Sequence, residues 1–95
     1  MTYVDDVVEA NLLASRTSTA HRVFNVDGGT CVTVNELIAR LEKIVGERAS
    51  VTHANTIAGD ALHTEADSRL AAEELGWRPL IDIEEGLCRT VGSIL

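Results

Sequence analysis

Residues 59–67, with the sequence GDALHTEAD, form the densest group of side chains that could do chemistry. The stretch holds two Asp, one Glu, one His and one Thr behind a glycine. Carboxylates and imidazoles hold metal ions and move protons in active sites. The stretch is therefore a candidate metal site, catalytic cluster or ligand-binding loop, and the rest of the chain has to decide among the three.

The metal hypothesis depends on His53, His63 and Asp67. Their spacing gives no pair of histidines one helical turn apart, and no cysteine accompanies them. Zinc sites in proteins are usually built from such pairs or from cysteines. The sequence therefore predicts no metal site.

Catalytic and cofactor motifs do not stand out either. A nucleophilic triad needs Ser or Cys with His and an acid, but the chain contains no nucleophile elbow. Gly28 and Gly29 form an isolated pair without the further glycine of a nucleotide-binding loop. The pair indicates a turn that needs a positive φ. We predict no catalytic and no cofactor-binding residue in this chain.

The adjacent carboxylates are interpreted as surface charge. Each pair lies near a predicted helix N-terminus or on a solvated helix face, where negative charge complements the helix dipole or adds solubility. Asp60 differs because it follows a glycine in a loop, where ligand contacts concentrate. The pairs are Asp5–Asp6, Glu73–Glu74 and Glu84–Glu85.

Composition indicates one globular domain over residues 1–95. The chain is 45% hydrophobic and 24% charged, with a net charge of −7. Such an acidic chain repels phosphate backbones, so nucleic acid is not expected as a partner. The apolar runs are too short for a membrane span, and the first residues do not resemble a signal peptide. Cys31 and Cys88 are isolated, which favours reduced thiols in a cytoplasmic protein.

Four helices are predicted from capping residues and apolar periodicity. Each begins behind a polar residue that can accept backbone N–H bonds, and two are followed by a glycine. Trp77 lies between Gly76 and Pro79 and is predicted to be a buried anchor between the last two helices. The predicted helices are 3–14 behind Thr2, a helix behind Thr33 that ends before Gly46, one from Asp67 to Leu75, and one behind Asp82 that includes Ile83 and Ile94.

Short strands are predicted between the helices. Residues 22–26, 31–32 and 49–54 are short and rich in β-branched residues, as is typical of strands. The expected fold class is therefore α/β, as a small α+β-like domain with about four helices and a few short strands.

Three stretches, taken together and in order, resemble the C-terminal portion of one family. They are TYVDDVVEANLLA (2–14), FNVDGGTCVTVNELI (24–38) and GDALHTEADSRLAAEELGWRPLIDIEEGLCRTV (59–91). The chain thereby resembles the NAD-dependent sugar-nucleotide epimerases and dehydratases, of the UDP-glucose 4-epimerase type, in the extended short-chain dehydrogenase/reductase family. The resemblance covers nearly the whole chain.

The resemblance also implies what these residues lack. In the family, the N-terminal Rossmann domain carries the NAD loop and the catalytic Tyr-x-x-x-Lys pair. Tyr3 does not match that tyrosine, because Val7 stands where the lysine would be. The resemblance thus implies a substrate-binding subdomain without a Rossmann core, with no cofactor of its own and no hydride transfer by itself.

The resemblance assigns a substrate role to Gly59 and Asp60, at the rim of a nucleotide-sugar pocket. Family members typically place an arginine two residues before this glycine or two after the acid, where it grips the diphosphate. Arginine suits this task because it donates two hydrogen bonds to phosphate oxygens. Ile57 and Leu62 occupy those positions here, so weak or no diphosphate binding is expected.

Two functions remain open from the sequence. One is the nucleotide-sugar-binding part of such an enzyme, in which residues 22–26 and the first helix meet the Rossmann domain. The other is a free-standing, non-catalytic binding or assembly module. Without a Rossmann domain the chain would expose a strand edge and an apolar helix face, so we expect a two-fold homodimer.

Overall fold

The computed structural model describes residues 1–21, 23–55 and 66–95. In these ranges the chain forms four α-helices, which confirms the four predicted from the sequence. They are α1 (Val4–Arg16), α2 (Val34–Val45), α3 (Arg69–Leu75) and α4 (Ile83–Ile94). Helix α1 packs against α3, and α2 packs against α4. None of the helices in the described ranges combines the length and apolar character needed to cross a bilayer.

Helices α2 and α4 begin as their sequences indicate. Thr33 Oγ1 accepts from the Glu36 amide at 3.1 Å, and the Glu36 side chain accepts in return from the Thr33 amide at 3.2 Å. Helix α2 ends at Gly46, whose φ of 83° lies in the left-handed region that glycine adopts easily. Asp82 Oδ1 accepts from the Glu85 amide at 2.8 Å and so caps α4.

Helix α1 differs from the prediction at both ends. It begins behind Tyr3, which makes no side-chain capping bond, and it extends to Arg16. The predicted capping residue Thr2 instead accepts from the Gly28 amide at 2.9 Å. The hydroxyl is therefore used to hold the Gly28 turn against the start of α1. Sequence spacing cannot indicate this contact, because the partner lies far along the chain.

Helix α3 is also capped differently from the prediction. Its N-cap residue is Ser68 rather than Asp67, and Ser68 makes no side-chain capping bond. The Ser68 hydroxyl accepts instead from the Asp27 amide at 2.8 Å. Asp67 accepts from the Arg69 amide at 3.0 Å, so it still satisfies one free N–H of the first turn. The predicted stop at Gly76 is confirmed, with a φ of 68°.

The predicted short strands are not confirmed. Residues 23–26, 31–32 and 49–54 form no strand, and residue 22 lies outside the described ranges. A strand exists only when its backbone N–H and C=O groups pair with a neighbouring strand. Within the described part of the chain none of these segments has such a neighbour. The described ranges are therefore helical with irregular connections rather than α+β.

A small core joins α1 to α3. Ala10, Ala71, Leu75 and Trp77 are buried together, and Leu13, Phe24 and Val26 pack against them from the edge. Trp77 is only 1% exposed, which confirms its predicted role as a buried anchor. With few aromatic residues in the chain, this one indole supplies the largest buried side chain.

Candidate functional site

The predicted substrate loop falls in residues 56–65, which lie outside the described ranges. Gly59 and Asp60, and the non-arginine positions Ile57 and Leu62, belong to this segment, as does His63. Their assignment to a nucleotide-sugar pocket therefore stays a prediction. What the structure describes is how the chain is held before and after them.

The end of the loop is tied to the turn at Asp27. The Ala66 amide donates to Asp27 Oδ2 at 3.4 Å, and the Asp27 amide donates to Ser68 Oγ at 2.8 Å. The Asp27 side chain is only 19% exposed. Asp27 thus connects the first residues beyond the loop to the Gly28–Gly29 turn, which in turn contacts the start of α1. No role was predicted for Asp27 from the sequence.

The electrostatics at Asp27 favour its charged form. Partial burial raises the pKa of the carboxyl, but hydrogen bonds from the Ala66, Gly29 and Gly28 amides and the nearby N-terminal ammonium group outweigh it. The net result is an Asp27 pKa below its ordinary value of 3.8. The anchor is therefore an anion at neutral pH, held by backbone N–H donors.

The chain that leads toward the loop is held by Glu42. Its Oε2 atom accepts from the Ala49 amide at 2.8 Å, three residues beyond Gly46. This bond turns the chain back along the last part of α2. Residues 49–55 then run on exposed, without helix or strand.

Of the three metal candidates, His53 and Asp67 lie within the described ranges. Both carboxylate oxygens of Asp67 accept from the Arg69 guanidinium, Oδ1 from Nε at 3.0 Å and Oδ2 from Nη2 at 2.6 Å. The Arg69 side chain, together with the Arg69 amide, lowers the pKa of Asp67. His53 is exposed. Among the described residues no three His, Cys, Asp or Glu side chains form a metal-binding group.

A cavity of about 90 Å³ lies between the start of the chain, the Gly28 turn and α4. A Cβ atom at Gly28 would come 2.1 Å from the Met1 carbonyl oxygen, so the close approach of the two segments requires glycine. Ligand pockets usually measure at least about 300 Å³, so this cavity by itself does not accommodate a nucleotide-sugar. Its lining includes Thr2, Tyr3, Thr30, Ile81, Leu87 and Thr90.

Asp6 is the residue that sequence reasoning interpreted wrongly. It was assigned to surface charge, but it is only 4% exposed. Its two carboxylate oxygens accept from the Leu80 and Ile81 amides at 3.1 and 3.0 Å. The carboxylate thereby binds α1 to the segment that leads into α4. Spacing could have indicated that Asp6 is buried, because Asp6 shares one helical face with the small apolar residue Ala10.

Tyr3, directly before α1, packs against α4. A Cβ atom at Gly86 would lie 3.1 Å from Tyr3 Cδ1, so the absence of a side chain lets the ring pack on the helix. Arg89 lies with its guanidinium carbon 5.7 Å from the ring centroid. Arg89 also donates to Glu85 at 2.8 Å. These contacts join the start of α1 to α4 beside the cavity.

Comparisons with known proteins use the whole chain. No family model matches the sequence. It is 36% identical over 91 residues to the UDP-glucuronate 4-epimerase of Thermodesulfobacterium geofontis, an alignment covering 95% of this chain and 28% of that protein. The structure of UDP-glucose 4-epimerase with UDP-glucose from Thermotoga maritima matches with a TM-score of 0.89 and 40% identity, over 98% of this chain and 30% of that one.

The chain belongs to the NAD-dependent sugar-nucleotide epimerase/dehydratase family. It matches the C-terminal part of these epimerases. The family match extends to MoeE5 in complex with UDP-glucuronic acid and NAD, with a TM-score of 0.88, 30% identity, and coverage of 99% of this chain and 33% of that one. The resemblance to this family is confirmed. The chain spans only about a third, or less, of the length of these epimerase-family relatives.

Proposed function

We propose that this chain is the nucleotide-sugar-binding C-terminal part of an NAD-dependent sugar-nucleotide epimerase or dehydratase. It binds and orients substrate but performs no catalysis by itself. The observation that supports this most is the match to the Thermotoga maritima epimerase, which was solved with UDP-glucose and which the chain follows over 98% of its length. The reaction type and the sugar are not specified by the proposal.

Within this function, Gly59 and Asp60 line the nucleotide side of the pocket. The anchors at Asp27 and Glu42 support the assignment, because they hold the chain on either side of residues 56–65. Holding the neighbouring chain in place reduces the conformational entropy that is lost when a ligand binds. Asp60 accepts a hydrogen bond from a substrate hydroxyl, and Ile57 and Leu62 leave the diphosphate without a cation from this loop.

NAD and the catalytic Tyr-x-x-x-Lys pair belong to a Rossmann domain that these residues do not contain. The outer face of α1 and residues 23–26 are proposed to contact that domain, which would supply the hydride acceptor. The chain alone is expected to bind no NAD and to bind UDP-sugars weakly or not at all. The homodimer predicted from the sequence remains a prediction, and it concerns the chain without such a domain.

A chimera tests the proposal. This chain replaces the matching C-terminal 30% of the Thermotoga maritima epimerase, and UDP-glucose binding is measured by calorimetry. We expect the chimera to bind UDP-glucose and Asp60→Ala to weaken binding about tenfold, as for a lost hydrogen bond to a polar ligand group. Asp67→Ala is the matched control, because Asp67 lies in the same stretch but pairs with Arg69.

A gain-of-function variant tests the phosphate argument separately. Leu62→Arg in the chimera restores a guanidinium at the family's position and should tighten UDP binding, whereas Leu62→Gln should not. The proposal is wrong if a folded chimera that still binds NAD does not bind UDP-glucose. It is also wrong if the chain alone binds NAD in calorimetry.

A further inference from the structure

Asp27 and Ser68 are joined by a two-way contact, although they lie 41 residues apart in the chain. The Asp27 amide donates to Ser68 Oγ at 2.8 Å, and the Ser68 hydroxyl donates to the Asp27 carbonyl oxygen at 3.5 Å. Serine is a preferred N-cap residue of helices, yet the Ser68 side chain makes no capping bond to α3. The Ser68 hydroxyl is therefore used to fix the start of α3 to the Asp27 turn.

The Asp27 carboxylate adds a second link between the same two segments. Its Oδ2 atom accepts from the Ala66 amide at 3.4 Å, and the amides of Gly28 and Gly29 also donate to the carboxylate. Ala66 is the first described residue beyond residues 56–65. The chain that leaves residues 56–65 is thus held by both the backbone and the side chain of one aspartate.

The Asp27 turn is itself fixed to the rest of the fold. Val26, directly before it, packs against the buried cluster of the core. On the other side, Thr2 Oγ1 accepts from the Gly28 amide at 2.9 Å. Because the turn is held on both sides, its contacts restrict residues 66–68 instead of moving with them.

The charge of Asp27 argues against direct contact with the diphosphate of a nucleotide-sugar. Its carboxyl group is an anion at neutral pH, held in that form by N–H donors, and like charges repel. The Asp27 side chain is also only 19% exposed. An effect of Asp27 on substrate binding therefore has to act through the backbone that it holds.

We propose that Asp27 and Ser68 are positioning residues for substrate binding, which raise the affinity for the nucleotide-sugar by fixing the chain where it leaves residues 56–65. They do not touch the substrate. A segment that is fixed beforehand loses less conformational entropy when a ligand binds. The inference rests on the proposed function, because it presupposes that residues 59 and 60 contact the substrate, and it extends that function to the residues that position them.

Steady-state kinetics of the chimera with UDP-glucose test the positioning role. We expect Asp27→Asn and Ser68→Ala to raise KM about three- to tenfold and to leave kcat within about twofold. The reason is that looser positioning weakens binding, whereas the proposed catalytic pair belongs to the Rossmann domain. Ser68→Thr keeps the hydroxyl and should retain the low KM. Thr33→Ala is the matched control, because it removes a similar 3.1 Å bond to a backbone amide, at the start of α2.

Amide hydrogen exchange in the 95-residue chain tests the contact without any substrate. Ser68→Ala should speed exchange of the Asp27 amide at least about tenfold, because its acceptor is removed. The Leu37 amide, which donates to the Thr33 carbonyl oxygen at 3.0 Å, should exchange at an unchanged rate. NMR measures both amides, and circular dichroism establishes that the variant is folded.

The outcomes separate this inference from the proposed function. A folded chimera that binds NAD but not UDP-glucose overturns both. If the chimera binds UDP-glucose, an unchanged KM in Asp27→Asn and Ser68→Ala overturns the positioning role alone, as does a fall in kcat at constant KM or an equal rise in KM for Thr33→Ala. Unchanged exchange of the Asp27 amide in Ser68→Ala overturns the contact on which the inference depends.

Discussion

The indole Nε1 of Trp77 donates a 2.8 Å hydrogen bond to the backbone carbonyl of Asp6. Both residues are almost fully buried, and the Asp6 carboxylate accepts two further backbone N–H groups from residues 80 and 81. These bonds hold α1 against the connection between α3 and α4. Because Asp6 and Trp77 are shielded from water, removing one partner leaves the other unsatisfied and costs about 1–3 kcal/mol per group.

Asp6→Asn is expected to lower the free energy of unfolding by about 1–3 kcal/mol. The amide that replaces one carboxylate oxygen turns a donor toward a backbone N–H, which then has no acceptor. Asp5→Asn is the matched control, because the Asp5 side chain is 65% exposed and should change stability by less than about 0.5 kcal/mol. Urea unfolding monitored by circular dichroism measures both, and equal effects would contradict the buried role of Asp6.

Trp77→Phe is expected to cost about 2–4 kcal/mol, because it removes the N–H donor and leaves unfilled volume in the core. The wild-type chain offers an independent check, since Trp77 is its one tryptophan. Its fluorescence should resist quenching by acrylamide in buffer and become readily quenched in concentrated urea. Equal quenching in both conditions would show that the indole is not buried.

Two glycines of α4 are expected to respond differently to alanine. A Cβ at Gly92 meets nothing within 4 Å, whereas one at Gly86 lies 3.1 Å from the Tyr3 ring. Gly92→Ala should therefore stabilise the protein by about 0.5–1 kcal/mol through helix propensity. Gly86→Ala should be less stabilising than Gly92→Ala by about 1 kcal/mol or more, because the Tyr3 ring must move. Thermal unfolding of the two variants compares them, and identical shifts would contradict the Tyr3–Gly86 contact.

The stability contributed by Asp27 should depend on pH. Partial burial acts against its charged form, but the amide hydrogen bonds and the N-terminal charge lower its pKa below 3.8 in the folded chain. A carboxyl whose pKa is lower in the folded chain than in the unfolded chain stabilises the fold at pH values above the unfolded-state pKa. This stabilisation is lost as the pH falls through the folded-state pKa. The wild-type advantage over Asp27→Asn should thus be full at neutral pH and shrink below about pH 4. Urea unfolding at several pH values measures the difference, and an advantage that grows in acid would refute the assignment.

Local patterns in the sequence predicted the helices well. The capping box at Thr33, the left-handed glycine at position 46 and the Asp82 cap are each formed by residues within a few positions of one another. Such short-range interactions are encoded in spacing alone. The short strands were not confirmed, because β-branched composition indicates an extended backbone but cannot supply a strand to pair with.

For the candidate site, the sequence predicted only what the family resemblance implies. The family is confirmed, whereas the roles of Gly59 and Asp60 remain predictions. The anchor at Asp27 was missed, because its partners at positions 66 and 68 lie some forty residues away in the chain. Side chains that hold a loop from a distance carry no local signal.

The sequence by itself determined where the helices lie and to which family the chain belongs. Only the tertiary structure decided which polar residues are structural. Asp5 and Asp6 are identical neighbours at a helix N-terminus, yet one is exposed and the other is buried against Leu80 and Ile81. The difference is a rotation of about 100° around the helix axis, which turns one carboxylate to water and the other to backbone N–H groups more than seventy residues away.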